Sequence, residues 1–138
     1  MKLYTTEGAP NPRRVRIFLA EKEIVIPMQE ISIMKQEHKT ERYRAISPFC
    51  RVPALVLDNQ SVILESVAIC RYFELLNPEP RLFGHTNIEK AIIEMQNRRM
   101  EFELLMTVAG AFRHIHPAFS KLENQNKTFG LVQKDSAE

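Results

Sequence analysis

Apolar positions along the chain alternate between a two-residue and a three-to-four-residue period, and each change of period marks an element. KLYT, residues 2–5, is a short strand-like piece. After a turn at Gly8, NPRRVRIFLAEKE carries Val15, Phe18 and Leu19 at helical spacing, with Asn11 placed to cap the helix and Pro12 suited to its first turn. IVIPMQEISI sets Met28, Glu30 and Ser32 opposite Gln29, Ile31 and Ile33, which predicts a strand with a mixed outer face. The polar stretch KQEHKTERYRAI is read as holding a short helix before Pro48. PALVL and SVIL then flank the turn DNQ as the arms of a hairpin, and Ser66 opens a helix running to the neighbourhood of Asn77. Strand, helix, strand, helix, hairpin, helix is an order that allows a small mixed sheet covered by helices on both faces.

NPEPRLFG, residues 77–84, interrupts helical geometry twice with proline and reads as a linker between two units. Beyond it Thr86 and Glu89 have capping-box spacing. Ile88, Ile92, Met95, Phe102, Leu105, Met106, Ala109 and Phe112 mark the apolar side of a helix whose length would be about 40 Å. A helix of that length with one broad apolar side needs partners beyond the first unit. After Pro117 the chain turns polar, no comparable helix is expected, and the second unit reads as unfinished. Either self-association covers the long apolar face or the chain is a fragment.

Composition narrows the class. The 138 residues are 44% hydrophobic and 26% charged, the balance of a folded globule. A formal charge of +2 gives no argument for nucleic acid or for a membrane surface. MKLYTTEG lacks the apolar run of a signal peptide and the weakly polar run 104–112 is too short to span a bilayer, so a cytoplasmic protein is expected. Cys50 and Cys70 form no CxxC pair and are read as free thiols, while His114 and His116 have no accompanying ligands and are not taken as a metal pair.

Chemistry enters at residues 62–69. Val62, Ile63 and Leu64 lead to the edge of a core, Glu65 follows, and the apolar run resumes after Ser66 with Val67, Ala68 and Ile69. A carboxylate held at such a boundary calls for a cation, and the cation can belong to a ligand. The plainer alternative is that Ser66 caps its helix and Glu65 favours the helix dipole.

SPFCRVPALVLDNQSVILESVAICRYFE, with APNPRRVRIFLAEKEI upstream, resembles the glutathione transferase family. The VPAL segment, the Glu-Ser pair entering a helix, the RVRIFLAEK first helix and the proline-containing linker to a long helix occur in the right order over most of residues 1–117. The resemblance implies a thioredoxin-like glutathione-binding domain at residues 1–77, with a mixed four-stranded sheet and flanking helices. A linker at 78–84 and a partial all-helical C-terminal domain at 85–138 come after it, usually within a homodimer.

For the ligand it implies that Glu65 takes the γ-glutamyl ammonium, and that Ser66 with the helix N–H groups holds the adjoining carboxylate. Val52, before a cis Pro53, would pair with the cysteinyl backbone. Arg51, and the His38-Lys39 pair found in theta-like members, would meet the glycine carboxylate. At the thiol the chain departs from the pattern: the serine of theta, delta and zeta members falls on Ala9, and an ungapped match to the beta class puts Thr5 and Pro10 where its tyrosine and cysteine stand. Asn11, in a segment similar to the TPN of nu-class members, is the remaining candidate to face the sulfur, beside its reading as a plain cap. Arg13, Arg14 and Arg16 are read as a solvated basic face.

The resemblance therefore implies an enzyme using glutathione as cosubstrate, without a metal, to conjugate a small electrophile or to carry out a reduction. The alternatives are a noncatalytic interaction module, like the family's stringent-starvation and elongation-factor relatives, and a glutaredoxin-like reductase, disfavoured because no cysteine lies near residues 9–12.

Overall fold

The computed structural model describes residues 1–120 and 125–135. It divides into two compact units, Met1–Leu82 and Phe83–Glu138. In the first, β1 (Lys2–Thr5), α1 (Pro10–Glu21), β2 (Met28–Glu30), α2 (Glu41–Arg44), β3 (Ala54–Val56), β4 (Val62–Leu64) and α3 (Ser66–Leu76) succeed one another. The strands form one sheet in the order β2-β1-β3-β4. β2 runs parallel to β1, with Tyr4 beside Gln29, and the other two neighbours are antiparallel.

Helix α1 buries Pro12, Val15, Phe18 and Leu19, the spacing that puts one stripe of a helix on a core. α3 buries Ser66, Ile69, Cys70 and Phe73 and packs against α1. Leu3, Val15, Leu19, Leu55, Ile69 and Phe73 are almost wholly enclosed, each large side chain contributing about 1.5–3 kcal/mol by leaving water. Leu3 and Thr5 point to one face of β1 and Tyr4 to the other, where its ring meets Tyr43 of α2 edge-on at 5.9 Å.

Two expectations for this unit need correction. The cap of α1 is Ala9, extended at φ −103° and making no side-chain cap bond; Asn11 lies inside the first turn instead. Pro10, which has no N–H to leave unsatisfied, is what suits that entry. The second strand is confined to Met28–Glu30, because Pro27 has no N–H to give a ladder; its carbonyl accepts the Leu3 N–H, and Val25 is almost fully exposed.

The second unit opens with α4 (Asn87–Arg99), whose Thr86–Glu89 capping box is formed in both directions. A π-helical stretch, Met100–Leu105, joins it without a break to α5 (Met106–Ile115). The single helix expected over this region is therefore one helical run with a widened turn. Part of the polar tail, residues 121–124 and 136–138, lies outside the described residues, but α6 (Lys127–Asp135) is a short helix that pattern reading did not anticipate. It sits close on α5 through Gly130: a Cβ there would fall 2.7 Å from the Ile115 side chain and 2.8 Å from His114 Cβ. Glycine weakens a helix by propensity, and here close approach requires it. His114 Nδ1 accepts the Asn126 N–H at 3.1 Å. Among the described residues no helix is long and apolar enough to cross a membrane, and no group of three or more His, Cys, Asp or Glu is placed to hold a metal ion.

Candidate functional site

The β3–β4 hairpin fixes the geometry of the site. Its register pairs Ala54 with Leu64, so Val52–Pro53 entering β3 and Glu65–Ser66 leaving β4 come out at the same end of the sheet. The Val52–Pro53 peptide is cis. Its approach is held by main-chain bonds to Arg51: the carbonyl accepts from Tyr43 Oη at 2.9 Å and from Ser47 Oγ at 3.0 Å, and the Arg51 N–H donates to the same Ser47 oxygen at 3.1 Å. Ser47 is completely enclosed. Burial, with smaller contributions from Tyr4 and Cys50, pushes the Tyr43 hydroxyl up to about 12, so it stays a proton donor at neutral pH. Among the described residues the Val52 main chain forms no turn or loop hydrogen bond, and it lies just outside the ladder that begins at Ala54.

Glu65 is the residue before α3 and has φ +68°, ψ 124°, a conformation that strains a non-glycine residue by an amount of order 1–3 kcal/mol. Its carbonyl accepts the Ile69 N–H at 3.0 Å, the first bond of the helix. Its carboxylate is exposed, with no ion pair or hydrogen bond among the described residues. Ser66 is buried at the first helical position. Its Oγ accepts from Arg14 Nη1 at 2.7 Å, and the same nitrogen donates to Asn11 Oδ1 at 3.3 Å. Arg14 thus ties the first turns of α1 and α3 together, a role hidden in the basic run around it. The signal was the three-residue spacing from Asn11, which puts the two side chains on one face of α1.

The remaining candidates are less constrained. His38 and Lys39 sit on a 3₁₀ turn (Glu37–Lys39) ahead of α2, and the Lys39 and Arg51 side chains are exposed. Burial and then the Lys39 charge lower the His38 pKa below its usual value, so its imidazole is neutral at neutral pH, and its Nδ1 is enclosed with no partner among the described residues. Thr5 is buried, and its hydroxyl is enclosed with no hydrogen-bond partner among the described residues. A cavity of about 430 Å³ lies elsewhere, beside α2 and lined by Tyr4, Glu30, Ile31, Arg42 and Tyr43, and none of the candidate residues borders it. Both cysteines are free. Cys70 is enclosed, and burial, against the opposing pull of Arg14 and a main-chain hydrogen bond, pushes its thiol up to about 11; Cys50 is half-buried.

A mixed four-stranded sheet with α1 and α3 packed together, α2 against the other face, a cis-proline entering β3 and a helix starting beside it define a thioredoxin-like domain, here followed by a helical segment. The family profile for the glutathione S-transferase N-terminal domain matches residues 9–76. Glutathione S-transferase 2 of Saccharomyces cerevisiae is 40% identical over 141 aligned positions, covering 99% of this chain. The crystal structure of Gtt2 from the same yeast superposes with a TM-score of 0.92 at 40% identity, over 99% of this chain and 68% of that one. A glutathione S-transferase domain-containing protein of Marinobacter aquaeolei gives 0.88 at 37% identity, over 99% and 69%. The chain belongs to the glutathione S-transferase family. It spans 60% of the length of the curated yeast relative.

Proposed function

We propose that the protein binds glutathione and either conjugates its thiol to a small electrophilic molecule or uses it in a reduction. The observation that carries this is the exposed, unpaired Glu65 carboxylate standing beside buried Ser66 at the start of α3. The γ-glutamyl end of the tripeptide has its ammonium and carboxylate on one carbon. Glu65 takes the ammonium; the Ser66 O–H and the unbonded N–H groups of the first helical turn take the carboxylate. The Val52 main chain, set by Pro53, pairs with the cysteinyl backbone as an added strand. Arg51, His38 and Lys39 face the glycine carboxylate, with His38 acting as a neutral hydrogen-bonding group rather than a charge.

At the sulfur, Asn11 donates an N–H to the thiolate near the N-terminus of α1. A free thiol has a pKa of about 8.5, and about 1.4 kcal/mol of preference for the anion lowers it by one unit. The proton leaves to solvent. The thiolate electron pair then forms an S–C bond with the electrophile as the leaving group departs with the pair of the bond that breaks. In this reading residues 1–77 are the glutathione-binding domain, 78–84 the linker and 85–138 part of a helical domain, in a cytoplasmic homodimer that needs no metal.

A second reading, a noncatalytic interaction module, is favoured by one observation: Ala9, where several classes carry their serine, has no polar side-chain atom. Calorimetric titration of glutathione into the parent and Glu65→Ala separates the two. Binding by the parent that Glu65→Ala loses supports the enzyme, whereas a parent with no affinity leaves the interaction module as the better account.

A further inference from the structure

On sequence grounds Arg14 belongs to a solvated basic face, yet the residue is half-buried and one guanidinium nitrogen serves two oxygens, Ser66 Oγ and Asn11 Oδ1. A guanidinium nitrogen has hydrogens to give and no lone pair to offer, so both contacts run one way. The two receiving side chains are ambivalent by themselves. A hydroxyl donates or accepts, and a carboxamide presents either its oxygen or its NH2 according to its surroundings. With its oxygen engaged by Arg14, Ser66 has its own O–H proton left to give, and Asn11 has its Nδ2 hydrogens turned away from the arginine.

We propose that Arg14 is a positioning residue that makes Ser66 and Asn11 hydrogen-bond donors, the first toward the γ-glutamyl carboxylate and the second toward the glutathione sulfur. The proposal rests on the glutathione reading of the site. It also explains why a cation stands where the positive ends of two helices converge, since one guanidinium orients two groups toward two anions. A lysine offers no such fixed planar fork.

Full-length protein is titrated calorimetrically with glutathione and with S-methylglutathione, which has no ionisable sulfur, and the ultraviolet absorbance of the thiolate gives the pKa of bound glutathione. Arg14→Gln is expected to weaken both ligands about 10-fold and to raise the bound thiol pKa by about one unit. Because Arg14 acts through its two partners, Arg14→Gln with Ser66→Ala should bind S-methylglutathione no more weakly than Ser66→Ala alone. Likewise Arg14→Gln with Asn11→Ala should show the thiol pKa of Asn11→Ala. Additive losses in both double variants, or parent values for a folded Arg14→Gln, would overturn the proposal. Should Arg14→Gln not fold, Arg14→Lys carries the same comparison, keeping the charge without the planar fork. A parent that binds neither ligand removes the site itself and the proposal with it, a failure distinct from additivity in a parent that binds.

Discussion

Lys22 Nζ lies 2.6 Å from the Glu74 carboxylate, at a place where the lysine side chain has no exposed surface. The same ammonium donates to the carbonyls of Asn77 at 2.6 Å and Pro80 at 2.7 Å, and Glu74 Oε1 accepts the Leu82 N–H at 3.0 Å. Two hydrogen bonds and one ion pair from a single ammonium pin the end of α1 to the end of α3 and to the segment beyond it. Lys22→Met, which takes a buried ammonium away from the Glu74 carboxylate and from two carbonyls, is therefore expected to lower stability by about 3–5 kcal/mol in urea unfolding. The double variant with Glu74→Leu should recover most of the loss, and a Lys22→Met value within about 1 kcal/mol of the parent, on the order of surface-pair effects, would show the pair to be idle.

Glu65 separates binding from stability. Glu65→Gly should relieve the strain at φ +68° and be more stable than Glu65→Ala by about 1 kcal/mol, seen as a higher unfolding midpoint. Neither variant has a carboxylate, so both should lose glutathione affinity by about 10-fold or more. Thermal unfolding and calorimetry on the same samples decide it; equal midpoints for the two would mean that the backbone there relaxes without difficulty.

Tyr43 gives a pH signature. Its folded pKa, about 12, stands above the ordinary value of 10.0 because the hydroxyl is enclosed. Folding thus favours the protonated form. That contribution is complete below pH 10.0, and is lost as the pH climbs through about 12. In Tyr43→Phe the alkaline fall should shrink, and at pH 7 the lost bond to the Arg51 carbonyl should lower stability by about 1 kcal/mol. Chemical denaturation across pH 8–12.5, roughly the range in which tyrosine titrates, makes the comparison.

Gly130→Ala sets helix propensity against packing. Alanine gains about 1 kcal/mol in an ideal helix, but its methyl would sit 2.7 Å from Ile115 and 2.8 Å from His114 Cβ. Overpacking of this kind costs about 1–3 kcal/mol, so a net loss is expected, visible as faster amide exchange in α5 and α6. Slower exchange would show that the two helices separate freely.

Residues that act through local pattern are legible in the sequence. The hairpin around DNQ, the Thr86–Glu89 box and the start of α3 at Ser66 each arise from neighbours a few positions apart. The cis peptide at Val52–Pro53 was expected from the family likeness. The hidden features depend on partners far along the chain. Arg14 and Ser66 are 52 residues apart, Lys22 and Pro80 58, and a basic run or a lone lysine carries no mark of such a partner. The cap of α1 was misplaced for a different reason: asparagine is the better cap by chemistry, yet Pro10 enters the helix before it and moves the boundary to Ala9. α6 escaped because the stretch after Pro117 reads as polar, and its few apolar positions gain meaning only once α5 is seen beside them.

The contrast between the two sulfurs gives the molecule a built-in reporter. Cys70, enclosed and held as a thiol, is closed to maleimides under mild conditions, whereas half-buried Cys50 lies in the loop just ahead of Arg51 and Val52. A single fluorophore attached at Cys50 would sit beside the proposed glutathione site, and a change in its emission on adding glutathione would report binding without any engineered label.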